Sequence, residues 1–213
     1  MREKEGTSIW NPPNVIQWNT EKSYLFELEK KHIPILRSIL LPQGEQGIVE
    51  QVMKKEKWTE AIIKPLIGAS AYGAKKVTVE SVASEERKLD KHTRWLIQEF
   101  YADISKGEYS FVFFNKKFSH AVLKVPQNND FRVHIDYGGK EIPVHPDSSL
   151  IEQAEHIVHT IDDDLLYARV DAIEKNGRLI LMELELTEPY LFFDADSNAA
   201  ERFVEAFNDL FRS

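Results

Sequence analysis

The clearest pattern in the chain is an alternation of apolar and polar residues near its C-terminal end. Across 165–173, Leu166, Ala168, Val170 and Ala172 fall on one face of a strand, and Tyr167, Arg169 and Asp171 on the other. Across 179–187, Ile180, Met182, Leu184 and Leu186 share one face, Glu183 and Glu185 the opposite one. Asn176-Gly177 between the two runs is a strong hairpin signal. If the apolar faces are buried together, Arg169, Asp171, Glu183 and Glu185 project from one side of the sheet. Directly opposed residues share a face, so pairing Asp171 with an odd-numbered residue requires a loop of odd length. The pattern therefore predicts a three-residue turn with a glycine bulge. A two-residue turn would pair position 171 with 182 and set Asp171 opposite the glutamates.

Other segments follow the same rules. Residues 108–115, 118–125 and 131–136 read as three strands of an antiparallel meander. Residues 146–161 read as a helix, with a Ser149–Glu152 capping box and a stripe of Leu150, Ile151, Ala154, Val158 and Ile161. Residues 196–211 read as a final helix with Phe203, Phe207, Leu210 and Phe211 inward. Towards the N-terminus, residues 1–19 hold Pro12 and Pro13 and read as an extended lead-in. Thr20 is placed to cap a helix to about Lys31, with Tyr24, Leu25 and Leu28 inside. A short strand at 33–36 and a helix near 45–57 follow. Strands at 61–65, 76–82 and 93–101 enclose a small-residue loop (66–73) and a short helix (84–91). This order predicts an α+β fold of two lobes, 20–97 and 98–213, meeting near 98–102.

Composition removes several classes. Lys plus Arg number 27 against 35 Asp plus Glu, a net charge of −8, which argues against a nucleic-acid binder or an anionic-membrane surface protein. The 213 residues include no cysteine, so disulfides and thiolate chemistry are excluded. No apolar run approaches membrane-spanning length, and the N-terminus lacks a signal-peptide h-region. A soluble cytoplasmic protein is the expectation. His156 and His159 share a helix face without a convincing third ligand, and read as exposed. Phe111, Phe113, Phe114 and Phe118 read as core, while His120 and His134 are candidates for lining a cleft.

The chemistry concentrates in the hairpin. Three carboxylates on one patch repel each other unless a cation sits among them. Oxygen-only donors suit Mg²⁺ or Mn²⁺, and Arg169 beside them could clamp an anion such as phosphate. The rival reading is a solvated face with an arginine ion pair. Lys64 interrupts an apolar strand just before the small-residue loop, which suits a phosphate contact as well as it suits a snorkelling surface lysine. A Walker loop fails, because Ala74 and not Lys follows Gly73 and a strand continues.

Taken in order, NPPNVIQWNTEKSYLFELE, AIIKPLIGASAYG, LIQEFYADISKGEYSFVFFNKKFSHAVLKVPQNNDFR and LLYARVDAIEKNGRLILMELELTEP resemble the ATP-grasp superfamily. The likeness covers about residues 11 to 207 and is nearest to prokaryotic glutathione synthetases and the cyclo-ligase of cycloserine biosynthesis. It implies an ATP-grasp fold whose usual N-terminal domain is largely missing, with ATP and Mg²⁺ (or Mn²⁺) between two lobes. It implies that Lys22 and Lys64 bind the nucleotide phosphates, under a loop containing Gly68, Ser70 and Gly73. Gln98, Glu99, Phe100 and Tyr101 would form the hinge around adenine, and Glu108 would hold the ribose. Lys124 and Arg132 would face phosphate or acyl substrate, Arg169 the γ-phosphate, and Asp171, Glu183 and Glu185 the metal. The implied activity is ATP-dependent carboxylate–amine ligation through an acylphosphate, on an amino-acid or peptide-like substrate. His134 departs from the glutathione synthetase pattern, which argues against glutathione synthesis itself. The alternative is an ATP-binding regulatory module, or one that needs a partner chain or a second copy to complete it.

Overall fold

The computed structural model describes residues 9–45, 47–68, 73–127, 132–133 and 135–212. The N-terminal segment is not extended throughout. Pro13 stands at the first helical position, where its missing N–H costs nothing, and opens α1 (Pro13–Asn19). Helix α2 (Tyr24–Lys30) buries Tyr24, Leu25 and Leu28, as their spacing predicts. It starts after Ser23, because the Thr20 hydroxyl instead donates back to the Ile16 carbonyl at 2.7 Å. The expected strand at 33–36 is reduced to one bridge, Ile35 with Leu181.

A small antiparallel sheet follows, built from β1 (Ser38–Leu40), β2 (Glu60–Pro65), β3 (Lys75–Thr78) and β4 (Trp95–Glu99) in the order β1-β4-β2-β3. Helices α3 (Ile48–Glu56) and α4 (Val82–Glu86) cover one face, where Val49, Met53 and Val82 meet Ala61, Ile63, Val77 and Ile97.

The larger antiparallel sheet contains β5 (Glu108–Phe114), β6 (Lys117–Val125), β7 (Lys140–Val144), β8 (Tyr167–Lys175) and β9 (Arg178–Glu185), ordered β7-β6-β5-β8-β9. Its third meander strand is thus 140–144 and not 131–136, where a 3-10 turn begins at Ile135. Pro143 disguises this strand, and is tolerated because β7 is an edge. Gly107, before β5, has φ +113, and a Cβ there would lie 2.7 Å from Leu123. Helix α5 (Ser148–His159) packs its Leu150, Ala154, Ile157 and Val158 with α1 and α2 against Phe111, Phe113, Val170 and Leu184. Asp147 stands at its N-cap, with Ser149 already inside the first turn, so the expected capping box does not form. His156 and His159 are exposed, as expected. Helix α6 (Ala199–Arg212) tucks Phe203 against Phe114, but Phe207 and Phe211 are exposed and stack on each other at 4.3 Å.

The β8–β9 hairpin corrects the loop expectation. Asn176 and Gly177 have φ of 53° and 76°, as a two-residue type I′ turn requires, and Lys175 faces Arg178 directly. The register then shifts: Ala172 faces Leu181, but Asp171 faces Glu183, leaving Met182 as the extra residue of a bulge. The bulge returns Asp171 to the side of the glutamates. It also separates Ile180 and Met182 from Leu184 and Leu186, which the simple alternation grouped together.

Strand β9 is a sheet edge, yet its outer backbone groups find partners from the N-terminal segment. Leu181 bonds the Pro34 carbonyl and the Leu36 amide. The Leu184 N–H donates to the Tyr24 hydroxyl at 2.9 Å. Asn19 donates to the Leu184 carbonyl and accepts from the Leu186 N–H, both at 2.8 Å. Asn11 donates to the Leu186 carbonyl at 2.8 Å. Buried backbone groups need such partners, and here the 34–36 backbone and the Tyr24, Asn19 and Asn11 side chains supply them.

Candidate active site

Alternation delivers side chains into a cleft between the two sheets. On β2, Ala61 and Ile63 are buried in the small-sheet core, so Ile62 and Lys64 face the cleft. From the large sheet come Glu108 on β5, Lys124 on β6, Arg169, Asp171 and Ile173 on β8, and Met182, Glu183 and Glu185 on β9. The cleft is concave, open to solvent along one side, and lined from both sheets. One end is apolar: Leu36, Ile104 and Ile173 pack with Phe100, Tyr101, Ile180 and Met182.

The other end is densely charged, and every carboxylate there is paired. Arg169 grips both oxygens of Asp171, at 3.0 and 2.8 Å, and also bonds Glu185. Ser110 donates to Asp171 at 2.6 Å, and Lys124 reaches it at 3.1 Å. Lys124 also pairs with Glu108, and Lys22 with Glu183 at 3.0 Å. Burial alone would raise the Asp171 carboxyl, but Arg169 and Lys124 hold it well below the usual carboxylate range. Burial pushes Glu185 up to about 7 against the opposing pull of Arg169. Burial lowers Lys64; Glu183 opposes the shift and Lys22 adds to it. Among the described residues, no carboxylate stands within ion-pair distance of Lys64.

Apart from Gly73 and His120, every described residue singled out for the site by the sequence lines this cleft, Arg132 included. Arg132 stacks on Tyr137, 3.7 Å from the ring centroid. Gly73 has φ +76 and packs at Pro65 beside the cleft. Ser70 and His134 lie outside the described residues. Three details differ from the expected roles. The Phe100 N–H is taken by the Glu60 carbonyl at 3.2 Å, and the Gln98 side chain by Ser38 at 2.8 Å. Glu108 and Lys124 face each other, so neither presents a free charge. His120 points away from the cleft, bonding the Leu191 carbonyl at 2.9 Å.

Sequence reasoning missed Ser110, Asn11, Asn19 and the Met182 bulge. Ser110 was recoverable, because it shares a strand face with Glu108. The two asparagines carry no periodic signal.

Among the described residues no three acidic or histidine side chains are gathered as a metal cage. Asp171 has both oxygens committed, whereas Glu183 and Glu185 are each held by one cation and line the cleft. This all-oxygen, crowded set, with one carboxyl pushed up to about 7, fits a hard divalent cation entering at the two glutamates. Among the described residues no helix is long and apolar enough to cross a membrane.

Comparison with known proteins places the fold. The cycloserine biosynthesis protein DcsG of Streptomyces lavendulae is 23% identical over 219 residues, 94% of this chain and 72% of that protein. The crystal structure of D-cycloserine synthetase DcsG matches with a TM-score of 0.79 at 20% identity, over 93% of this chain and 72% of that one. D-alanine–D-alanine ligase from Bacillus anthracis matches with a TM-score of 0.66 at 17% identity, over 90% and 66%. A family model for the ATP-grasp domain of prokaryotic glutathione synthetase matches residues 35–197, which takes in both sheets and the cleft between them. With more than half its length so matched, the chain belongs to the prokaryotic glutathione synthetase family of ATP-grasp ligases.

Proposed function

We propose that the chain joins a carboxylate to an amine at the expense of ATP, through an acylphosphate. The observation that carries this reading is the two-ended cleft: an apolar end leading to a charged end where, among the described residues, no carboxylate stands within ion-pair distance of Lys64. The adenine ring lies on Ile173, Met182, Leu36 and Ile104, with the Tyr101 backbone at its edge and Glu108 beside the ribose. The triphosphate runs towards Lys22 and Lys64, which supply the charge that a chain of net −8 otherwise lacks. Glu183 and Glu185 would hold Mg²⁺ (or Mn²⁺), with Asp171 beside them as a further oxygen donor. That ion, when bound, neutralises charge on the transferring phosphoryl group.

Two steps follow. A substrate carboxylate oxygen attacks the γ-phosphorus; the new P–O bond forms, the β–γ bridge breaks, and ADP leaves. The amine nitrogen then attacks the acyl carbon; C–N forms, C–O to phosphate breaks, and the amine proton leaves with phosphate or water. Arg169 and Arg132 steady the phosphoryl oxygens, and the protein contributes positioning and charge. ATP use and a cysteine-free sequence support a cytoplasmic setting.

The test is calorimetric titration of ATP into the purified chain with and without Mg²⁺, followed by screening for ADP release. Mg²⁺-dependent binding, with ADP appearing only when a carboxylate and an amine are both present, is expected. ATP binding with no turnover for any pair would make the chain a nucleotide-binding module instead. No binding would overturn the reading.

A further inference from the structure

A second cavity adjoins the nucleotide cleft at its charged end. It shares Lys22, Lys124, Arg169, Glu183 and Glu185 with the cleft, then extends past them to Glu141, Glu188 and Tyr190. It therefore begins where the γ-phosphoryl group would lie. Its three cations are already neutralised: Lys22 by Glu183, Lys124 by Glu108 and Asp171, and Arg169 by Asp171 and Glu185. Two of its carboxylates are not. Glu141 pairs in register with Lys124, so both point to the cleft face, yet Lys124 leans across that face to Glu108 and Asp171 and leaves Glu141 unpaired among the described residues. Among the described residues no cation lies within ion-pair distance of Glu141 or Glu188.

Tyr190 is 61% exposed, yet it is held at both ends. Its carbonyl accepts a hydrogen bond from Arg169 at 3.0 Å. Its ring meets the buried Phe192 ring edge-on, with centroids 4.9 Å apart at 84°. Phe192 in turn lies under the Arg169 guanidinium, 5.6 Å from the ring centroid. An exposed aromatic fixed in this way is a preformed surface, tied directly to the arginine assigned to the phosphoryl group. The exposed side chains of Ile67 and Ile135 also line the cavity.

We propose that this cavity takes the amine acceptor, and that the acceptor is a primary ammonium on an apolar or aromatic body without a carboxylate beside the amine. The ammonium sits between Glu188 and the face of Tyr190, with Glu141 adding charge, and the body lies against Ile67 and Ile135. A free α-carboxylate would meet Glu141 and Glu188 with no uncommitted cation among the described lining residues, a repulsive element that selects against ordinary amino acids. The inference rests on the ligase reading, whose cleft it shares.

The test uses the full chain loaded with Mg²⁺ and a non-hydrolysable ATP analogue, titrated with phenethylamine, phenylalaninamide, phenylalanine and 3-phenylpropionate. The two amines lacking a carboxylate are expected to bind at least about tenfold more tightly than phenylalanine. Glu188→Gln and Tyr190→Leu are each expected to weaken amine binding by about 5- to 30-fold while the affinity for the ATP analogue stays the same. Equal binding of phenylalanine, or amine binding unmoved by both variants, overturns the acceptor assignment and leaves the ligase reading standing. Failure of the nucleotide analogue to bind overturns both.

Discussion

Asn19→Leu isolates the device that holds the acidic strand. The amide of Asn19 brackets Glu185, bonding the Leu184 carbonyl on one side and the Leu186 N–H on the other. Leucine fills much the same space but offers neither bond, so two backbone groups are orphaned at a buried edge. Each costs about 1–3 kcal/mol, giving about 2–6 kcal/mol in all. That is a large part of the 5–15 kcal/mol typical of a whole domain. For a chain of this length, about 2–4 °C per kcal/mol converts the loss to roughly 5–20 °C in Tm. Loosening β9 also frees Glu183 and Glu185, so the Mg²⁺ concentration for half-maximal ATP binding should rise by about tenfold. Scanning calorimetry and Mg²⁺-dependent ATP titration measure the two effects. Val77→Ala, a cavity variant in the small-sheet core, controls for general destabilisation. A Tm shift under about 3 °C for Asn19→Leu, or an equal rise in the Mg²⁺ requirement for Val77→Ala, would refute the reasoning.

Three further outcomes are expected. Glu183→Gln should lower Mg²⁺-dependent ADP release by about 100-fold or more while the fold is retained, as read by circular dichroism; wild-type turnover would remove Glu183 from the metal site. Lys64→Met should weaken ATP binding at least about tenfold yet raise the Tm of the nucleotide-free protein by about 2–4 °C, because burial lowers the lysine and no carboxylate among the described residues pairs with it. His120 is lowered by burial, against the Leu191 carbonyl bond that favours its charged form. A depressed histidine contributes stability that is present above its ordinary value of 6.5 and lost as pH falls through the folded value, so Tm should drop between pH 7 and 5. His120→Gln should flatten that drop, and an unchanged profile would assign the pH dependence to other groups.

The two-lobed α+β architecture and the cleft were legible because alternation survives in β2, β5, β8 and β9, and because the charged residues interrupt apolar runs. What was not legible depended on partners distant in sequence. Pro12 and Pro13 suggest extension until Pro13 is seen to open a helix. Phe207 and Phe211 follow the helical stripe, yet they stay exposed and stack on each other rather than on the sheet core. Residues 131–136 have a strand-like composition, whereas the meander closes through β7, whose proline only an edge position permits. The pairing of Lys124 with Glu108 could not be assigned from sequence, since each residue alone suits a nucleotide contact.

The Met182 bulge explains how one strand serves both ends of the cleft. In an unbroken strand, Ile180, Met182, Leu184 and Leu186 would share one face, and Glu183 and Glu185 the other. The adenine end needs apolar side chains and the phosphate end needs carboxylates, yet both ends belong to the same face of the same sheet. With one residue extra, Ile180 and Met182 face the cleft, Glu183 follows them onto that face, and Leu184 and Leu186 return to the core. The two-residue Asn176-Gly177 turn fixes the register from one end, and the Asn19 and Asn11 amides fix it from the other. The bulge lies between these two anchors and absorbs the odd residue where its displacement is useful. The apparent conflict between a two-residue turn and opposed Asp171 and Glu183 is thus how this hairpin changes from an apolar floor to an acidic one within a single strand.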